Sequence, residues 1–263
     1  MQTNRIAPLF AVVPMLLLGG SPAAAQGDFQ WAGALSSGQK LEIKGVNGSI
    51  RASASGSGQA EVTATKESRR SNAADVRIEV VPHAGGVTIC AVYPDVAGQE
   101  PNRCAPGGEG RMNTRNNDTV VHFDVRVPYG VAFLGRTVNG EVNGEGLQGD
   151  VDVKTVNGSV KIDTTGTAVA NTVNGSMTVS MGRTDWGSGA SFKTVNGGIT
   201  LTLPGVFDAD LHAETLNGSI TSDFPVTMTG EVSRRRLQGR IGSGGRELDL
   251  KTVNGSIKLL RAQ

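Results

Sequence analysis

Aligned on a recurring Asn-Gly pair, the apolar and polar positions of this chain fall into one register. Six places before the Asn stand Phe133, Val151, Ala168, Ala190, Leu211 and Leu248, and four places before stand Gly135, Val153, Ala170, Phe192, Ala213 and Leu250. Three and five places after it come Val142 and Gly144, Val160 and Ile162, Met177 and Val179, Ile199 and Leu201, Ile220 and Ser222, Ile257 and Leu259. The positions between are mostly Asp, Lys, Asn, Thr or Ser. Alternation of period two predicts a strand on each side of the pair with one face buried, so each unit reads strand, Asn-Gly corner, strand.

The corners are Asn47-Gly48, Asn139-Gly140, Asn157-Gly158, Asn174-Gly175, Asn196-Gly197, Asn217-Gly218 and Asn254-Gly255. An apolar residue precedes each Asn, and six copies carry Thr just before it: Thr137, Thr155, Thr172, Thr194, Thr215 and Thr252. From Gly140 the corner glycines are 18, 17, 22, 21 and 37 residues apart, and the last gap holds a degenerate candidate copy at 237–241. One unit of this size cannot bury its apolar face alone, and a stack of units makes a continuous core.

Two architectures satisfy the pattern. Asn-Gly between alternating strands is a strong hairpin signal, because both residues accept φ > 0. Hairpins, however, would set Lys44 opposite Arg51, Lys154 opposite Lys161 and Lys251 opposite Lys258, all like-charge pairs. A stack of corners separates these residues and piles Asn on Asn into an amide ladder, although it also brings Arg136 near Lys154. The expected fold is therefore all-β, a parallel β-solenoid of 17–22-residue Asn-Gly repeats. Alanine and glycine at inward positions imply a thin cross-section without an interior cavity.

Upstream, the phrase gives way to longer alternating stretches at 61–66, 76–81, 87–93 and 120–127, each expected as a strand with one buried face. Between them lie a polar loop at 68–75 with Arg69 and Arg70, and a Pro- and Gly-rich loop at 94–117 of a length that often carries function. Phe29 and Trp31 are placed to cover one end of the core. Three segments are expected: an export signal at 1–25, an N-terminal β region at 26–135, and the repeat array at 136–263.

The first 25 residues combine Arg5, an apolar run and a small-residue end at Ala23-Ala24-Ala25, the pattern of a cleaved export signal. The product is expected in the periplasm or outside the cell, without a lipid anchor or a transmembrane segment. Its 25 Lys and Arg lose Arg5 on cleavage and then balance 24 Asp and Glu, which argues against nucleic acid as the main partner. In an exported chain Cys90 and Cys104 read as a disulfide, closing a loop that adds roughly 3 kcal/mol. A reactive thiol pair is the alternative.

Thr-Val-Asn-Gly phrases in register, following Val127-Pro128-Tyr129-Gly130, resemble a bacterial putative-adhesin family known by such β-strand repeats. The resemblance covers roughly residues 40 to 263 and implies an exported, right-handed β-solenoid without an assigned activity. Gly45, Glu141 and Gly198 depart from its consensus, as does the Cys-bearing insertion.

Candidate chemistry is sparse. Asp150, Asp152, Asp163, Asp208, Asp210 and Glu214 are the acids a solenoid hydrolase or lyase would draw on, yet they alternate with core residues as outer-face positions do. His83, His122 and His212 lack metal-ligand spacing, and no cofactor or metal site is read. Arg234, Arg235 and Arg236 form a candidate anion contact. The last copy ends Ile257-Lys258-Leu259-Leu260, three residues from the C-terminus and without a polar capping segment, so an open C-terminal edge is expected, covered by a second copy or by another envelope protein. The reading is a non-enzymatic envelope module, structural or adhesin-like, meeting an envelope protein or surface glycan. A carbohydrate-active solenoid enzyme and an envelope-stress sensor component are the alternatives.

Overall fold

The computed structural model describes residues 29–187, 189–228 and 233–262. The expected export signal at 1–25 lies outside the described residues. Before the closely spaced repeats the chain forms β1 (Phe29–Ala34), β2 (Lys40–Lys44), β3 (Ile50–Ala54), β4 (Gln59–Glu67), β5 (Arg77–His83), β6 (Gly86–Val92) and β7 (Val120–Val127). The next four copies contribute β8 (Ala132–Arg136), β9 (Val142–Leu147), β10 (Val151–Lys154), β11 (Val160–Thr164), β12 (Ala168–Asn171), β13 (Met177–Met181), β14 (Ala190–Lys193) and β15 (Ile199–Leu203). The remainder forms β16 (Ala209–Asn217), β17 (Ile220–Ser222), β18 (Thr227–Met228), β19 (Arg236–Ile241), β20 (Glu247–Asn254) and β21 (Ile257–Arg261).

These strands make two mostly parallel sheets, one running β1-β4-β7-β3-β9-β11-β13-β15-β21-β17 and the other β18-β19-β16-β20-β14-β12-β10-β8-β2-β6-β5. A rung consists of one strand from each sheet joined by an Asn-Gly corner. Neighbouring rungs pair in parallel and in register: Val151 lies beside Phe133 and Ala168, and Val160 beside Val142 and Met177. The Asn-Gly pairs are therefore corners between sheets, as the like-charge argument required. The sheets pass without a break across residue 135, because β8 is bonded to β2 on one side and β10 on the other.

Inward positions carry buried apolar side chains. Phe133, Val153, Ala170, Phe192, Ile199, Leu201 and Leu250 are all buried. Large side chains occupy the room small ones leave: a Cβ on Gly135 would meet the Phe133 ring and Val142 Cγ1, and one on Gly144 would meet Leu147 and Ile162. Such exchange of large for small is what close packing of the interior requires. The corner opposite the Asn-Gly column absorbs the differences in repeat length. There Trp186, Phe207 and Phe224 pack edge to face, with Arg261 over the Phe224 ring.

Antiparallel strands form three of the four sheet edges, and the first sheet ends on the parallel strand β17. At the N-terminal end β7 pairs in parallel with β3 and is followed by antiparallel β4 and β1, while β6 pairs in parallel with β2 and is followed by antiparallel β5. Trp31 and Phe29 on β1 are half-buried against the core. At the far end β19 pairs antiparallel with β16, with Leu211 opposite Gly239. The degenerate copy expected at 237–241 is thus a closing strand of reversed direction, not another rung.

The largest departure concerns the last copy. β20 lies between β14 and β16, and β21 between β15 and β17. The rung of Asn254 is inserted between those of Asn196 and Asn217, so Ile257, Lys258 and Leu259 are paired on both sides. The open C-terminal edge expected from the sequence does not exist, and self-association through it has nothing to act on. The terminal rung is that of Asn217, and its Ile220 and Ser222 are correspondingly only half-buried.

Candidate functional site

Each corner is built from four columns running along the stack. In the first, Thr side chains turn inward and donate to the glycine carbonyl of the adjacent rung: Thr155 to Gly140 at 3.0 Å, Thr172 to Gly158 at 2.9 Å, Thr252 to Gly197 at 2.8 Å and Thr215 to Gly255 at 2.7 Å. In the second, Val138, Val156, Val173, Val195 and Leu216 point outward and form an exposed apolar ridge. In the third, Asn amides make a ladder. Asn139, Asn157, Asn174, Asn196, Asn254 and Asn217 each donate Nδ2–H to the Oδ1 of the Asn before it in space, beginning at Asn47, over 2.7–2.8 Å.

The fourth column is glycine, for a reason the sequence alone did not show. Of the corner glycines only Gly48 has a positive φ. At Gly140, Gly158, Gly175, Gly197, Gly218 and Gly255 a Cβ would collide with the backbone of the adjacent rung's glycine. Close approach of one backbone to another, rather than a left-handed turn, excludes a side chain there.

Charge is segregated about this edge. Three places before the Asn, on the second sheet, stand Lys44, Arg136, Lys154, Asn171, Lys193, Glu214 and Lys251; four places after it, on the first sheet, stand Arg51, Asn143, Lys161, Thr178, Thr200, Thr221 and Lys258. Acids sit two residues further out, at Glu42, Asp152 and Asp249 on one side and Glu145, Asp163 and Asp223 on the other. Several reach back to form pairs, Arg136 with Asp152 at 2.6 Å, Lys193 with Asp249 at 2.7 Å and Lys161 with Glu145 at 3.5 Å, and within the row itself Lys251 pairs with Glu214 at 3.3 Å. Hydrogen bonding from Arg236 and then Lys251 holds the Glu214 carboxyl below its ordinary range. Arg51, Lys154 and Lys258 are exposed and carry no ion pair among the described residues.

The Arg234–Arg236 run closes the same edge. Its backbone carbonyls accept from the terminal rung, Arg235 from Thr215 N–H and Arg234 from Ile220 N–H, and Arg236 pairs with Glu214 at 2.7 Å. Its side chains are exposed beside the Asn217 corner.

The disulfide loop covers the other end of the cation row. Cys90 and Cys104 are bonded, with Cα atoms 5.7 Å apart. Lys44 is buried beneath the loop, where Nζ donates to the carbonyls of Ala105 and Gly107, and Glu42 Oε2 accepts from Gly107 N–H at 2.9 Å. Burial pushes the Lys44 pKa down. The loop also meets residues 68–71 to form an open polar cleft of about 860 Å³, lined by Arg69, Arg70, Asn116, Asn117, Asp118 and His122. Asp118 fastens the two segments, accepting from the Ser71 and Arg70 N–H groups at 2.9 and 3.0 Å. Glu67 and Asp118 offset the arginines, so the cleft is polar without a dominant sign.

The candidate acids are largely engaged in structure. Asp150 accepts from Thr167, Asp208 from Ser243 N–H and Asp210 from Gly245 N–H. His83, His122 and His212 lie on β5, β7 and β16; His83 Nδ1 accepts from Gly85 N–H and its Nε2 meets Thr88, while His122 meets Ser49 and His212 faces Asp249. Among the described residues no group of three or more His, Cys, Asp or Glu is placed to hold a metal ion, and no helix is long and apolar enough to cross a membrane.

The rungs from Asn139 to Asn254 are also where similarity to a known family falls. Residues 136–260 match the Toastrack DUF4097 family. The Toastrack match opens at the end of β8 and closes on β21, leaving β1 to β7 outside it. No curated protein matches the chain. Among solved structures it is similar to "a putative cell adhesion protein" from Clostridium sporogenes, at 11% identity and a TM-score of 0.46, covering 89% of this chain and 99% of that one. It is also similar to "a putative adhesin" from Bacteroides fragilis, at 10% identity and a TM-score of 0.35, covering 90% and 99%.

Proposed function

We propose that this chain is an exported, non-enzymatic module of the cell envelope, structural or adhesin-like, which meets its partner on its outer surface. The observation that carries the reading is how the side chains are distributed: the interior is filled by apolar residues, while the outward positions form columns repeated rung after rung. A filled interior leaves faces and corners for contact, and repetition along an axis suits a repetitive partner. Engagement of Asp150, Asp208, Asp210 and Glu214 in structural bonds fits a role without catalysis. Export is supported by the pattern of residues 1–25 and by the Cys90–Cys104 bond, which belongs to an oxidising compartment. In this reading residues 26–135 cap the array of 136–263. The rungs wind as a right-handed solenoid, since β10 reaches its parallel neighbour β12 by way of β11 and such crossovers are nearly always right-handed.

The test is to pass residues 26–263 over immobilised envelope material and to incubate the same protein with polysaccharides while assaying new reducing or unsaturated ends. Retention without new ends is expected. New ends that depend on the protein would replace this reading with a carbohydrate-active enzyme.

A further inference from the structure

The cations of the repeat crowd one edge of the cross-section. They stand directly beside the Asn column, a row that also holds Glu214, and Glu42, Asp152, Asp249, Glu145, Asp163 and Asp223 stand one alternation further away. Parallel pairing puts Arg136 beside Lys154 and Lys193 beside Lys251. Within the fold Asp152, Asp249 and Glu214 answer Arg136, Lys193 and Lys251, whereas Arg51, Lys154 and Lys258 are exposed and carry no ion pair among the described residues. These three are the charges an anionic ligand would meet.

The edge also offers more than charge. Each amide from Asn139 to Asn254 along the stack uses one N–H and one carbonyl lone pair on its ladder neighbours, leaving a donor and an acceptor that the ladder does not use. The ridge beside it exposes Val138, Val156, Val173, Val195 and Leu216. At about 4.8 Å per rung, the strip from Asn47 to Asn217 is about 29 Å long, and it is one corner wide.

We propose that the Asn corner edge binds a linear acidic polysaccharide lying along the stack axis. Carboxylates meet the cation rows, sugar hydroxyls meet the free amide groups, and sugar C–H faces rest on the valines. This rests on the reading of the chain as an envelope binding module and assigns that module its surface and partner class. A polymer with spaced carboxylates fits better than a nucleic acid. The outer acid rows repel a dense phosphate chain, and the ridge carries valine where base stacking would require aromatic rings.

The test uses residues 26–263 with polygalacturonate, neutral dextran and single-stranded DNA, read by titration calorimetry and by thermal unfolding with each polymer. Polygalacturonate is expected to bind, to raise the melting temperature, and to weaken as salt is added. The variant Arg51→Gln/Lys154→Gln/Lys258→Gln should lose affinity about tenfold, as three exposed charge contacts imply. The control Arg77→Gln/Arg183→Gln/Arg246→Gln, with the same change in net charge away from the edge, should stay within about twofold. Equal losses in both variants overturn the assignment, as does dextran or DNA binding as tightly as polygalacturonate. If the protein is retained by envelope material yet ignores polygalacturonate, the partner class is wrong and the module reading stands. Retention by neither sinks both.

Discussion

Replacing Gly175 by alanine tests the packing of the corner more sharply than any change in the core. Gly175 lies mid-stack, its φ is not in the left-handed region, and a Cβ there would sit inside contact distance of the Gly158 carbonyl. Both rungs are fixed by their own sheets, so the methyl group must force them apart at the corner. Three bonds lie in its path: Gly158 N–H to Asn174 O at 3.0 Å, Thr172 Oγ1 to Gly158 O at 2.9 Å, and Asn174 Nδ2 to Asn157 Oδ1 at 2.7 Å. At about 1 kcal/mol net for each, their loss costs about 3 kcal/mol. The smaller unfolded-state entropy of alanine returns roughly 0.4–1 kcal/mol, leaving a net loss of about 2–3 kcal/mol. With a urea m-value of about 3 kcal/mol/M, the midpoint should fall by nearly 1 M at unchanged m. Gly58→Ala is the control, since a Cβ there would have no atom within 4 Å and its φ is not positive; its midpoint should stay or rise slightly. A Gly175→Ala midpoint equal to that of wild type would refute the close-approach explanation.

Two further outcomes follow from the N-terminal end. Cys90→Ser/Cys104→Ser should lose about 3 kcal/mol in urea unfolding, the loop-closure contribution of a segment of this length, and the wild type in reductant should match it; an unchanged midpoint would mean that the loop is held by other contacts. The Ser71 N–H, and with it the Ser71 side chain and the Arg70 N–H, holds the Asp118 carboxyl below its ordinary range. Because the folded pKa is depressed, this contribution is present above the unfolded value of about 4 and is lost as pH falls through the folded one. Hydrogen-exchange protection of the Arg70 and Ser71 amides should drop in that acid window in wild type and show no such step in Asp118→Asn; identical profiles would remove Asp118 as the fastener.

Much of this architecture was legible because a stacked repeat writes its contacts locally. Alternation about Asn157 marked Val151, Val153, Val160 and Ile162 as inward, and all four are buried. Like charges at Lys154 and Lys161 weighed correctly against hairpins. What escaped depends on which rung lies next to which. Thr-Leu-Asn-Gly-Ser-Ile at 215–220 and Thr-Val-Asn-Gly-Ser-Ile at 252–257 present the same edges, so either fits against the rung of Asn196. Chain order alone favoured the wrong neighbour. The reason for glycine was hidden likewise, since it lies in the carbonyl of an adjacent copy. Arg234–Arg236 and the Asn217 corner meet because β19 turns back on β16, a reversal that the repeat pattern does not announce. Segregation of charge about the Asn edge was present in the letters, but it becomes a surface only when the rungs are in register.

The order of rungs is open to a direct measurement with paired cysteines on the outer face of the first sheet. Thr200 lies beside Lys258, which lies beside Thr221, so adjacent partners are about 4.8 Å apart and the outer two about twice that. A disulfide needs Cα atoms within about 7 Å. Thr200→Cys/Lys258→Cys and Lys258→Cys/Thr221→Cys should cross-link on mild oxidation of the folded monomer, and Thr200→Cys/Thr221→Cys should not. Ready cross-linking of the last pair would place the Asn217 rung directly on that of Asn196 and contradict both the inserted final copy and the continuous edge built on it.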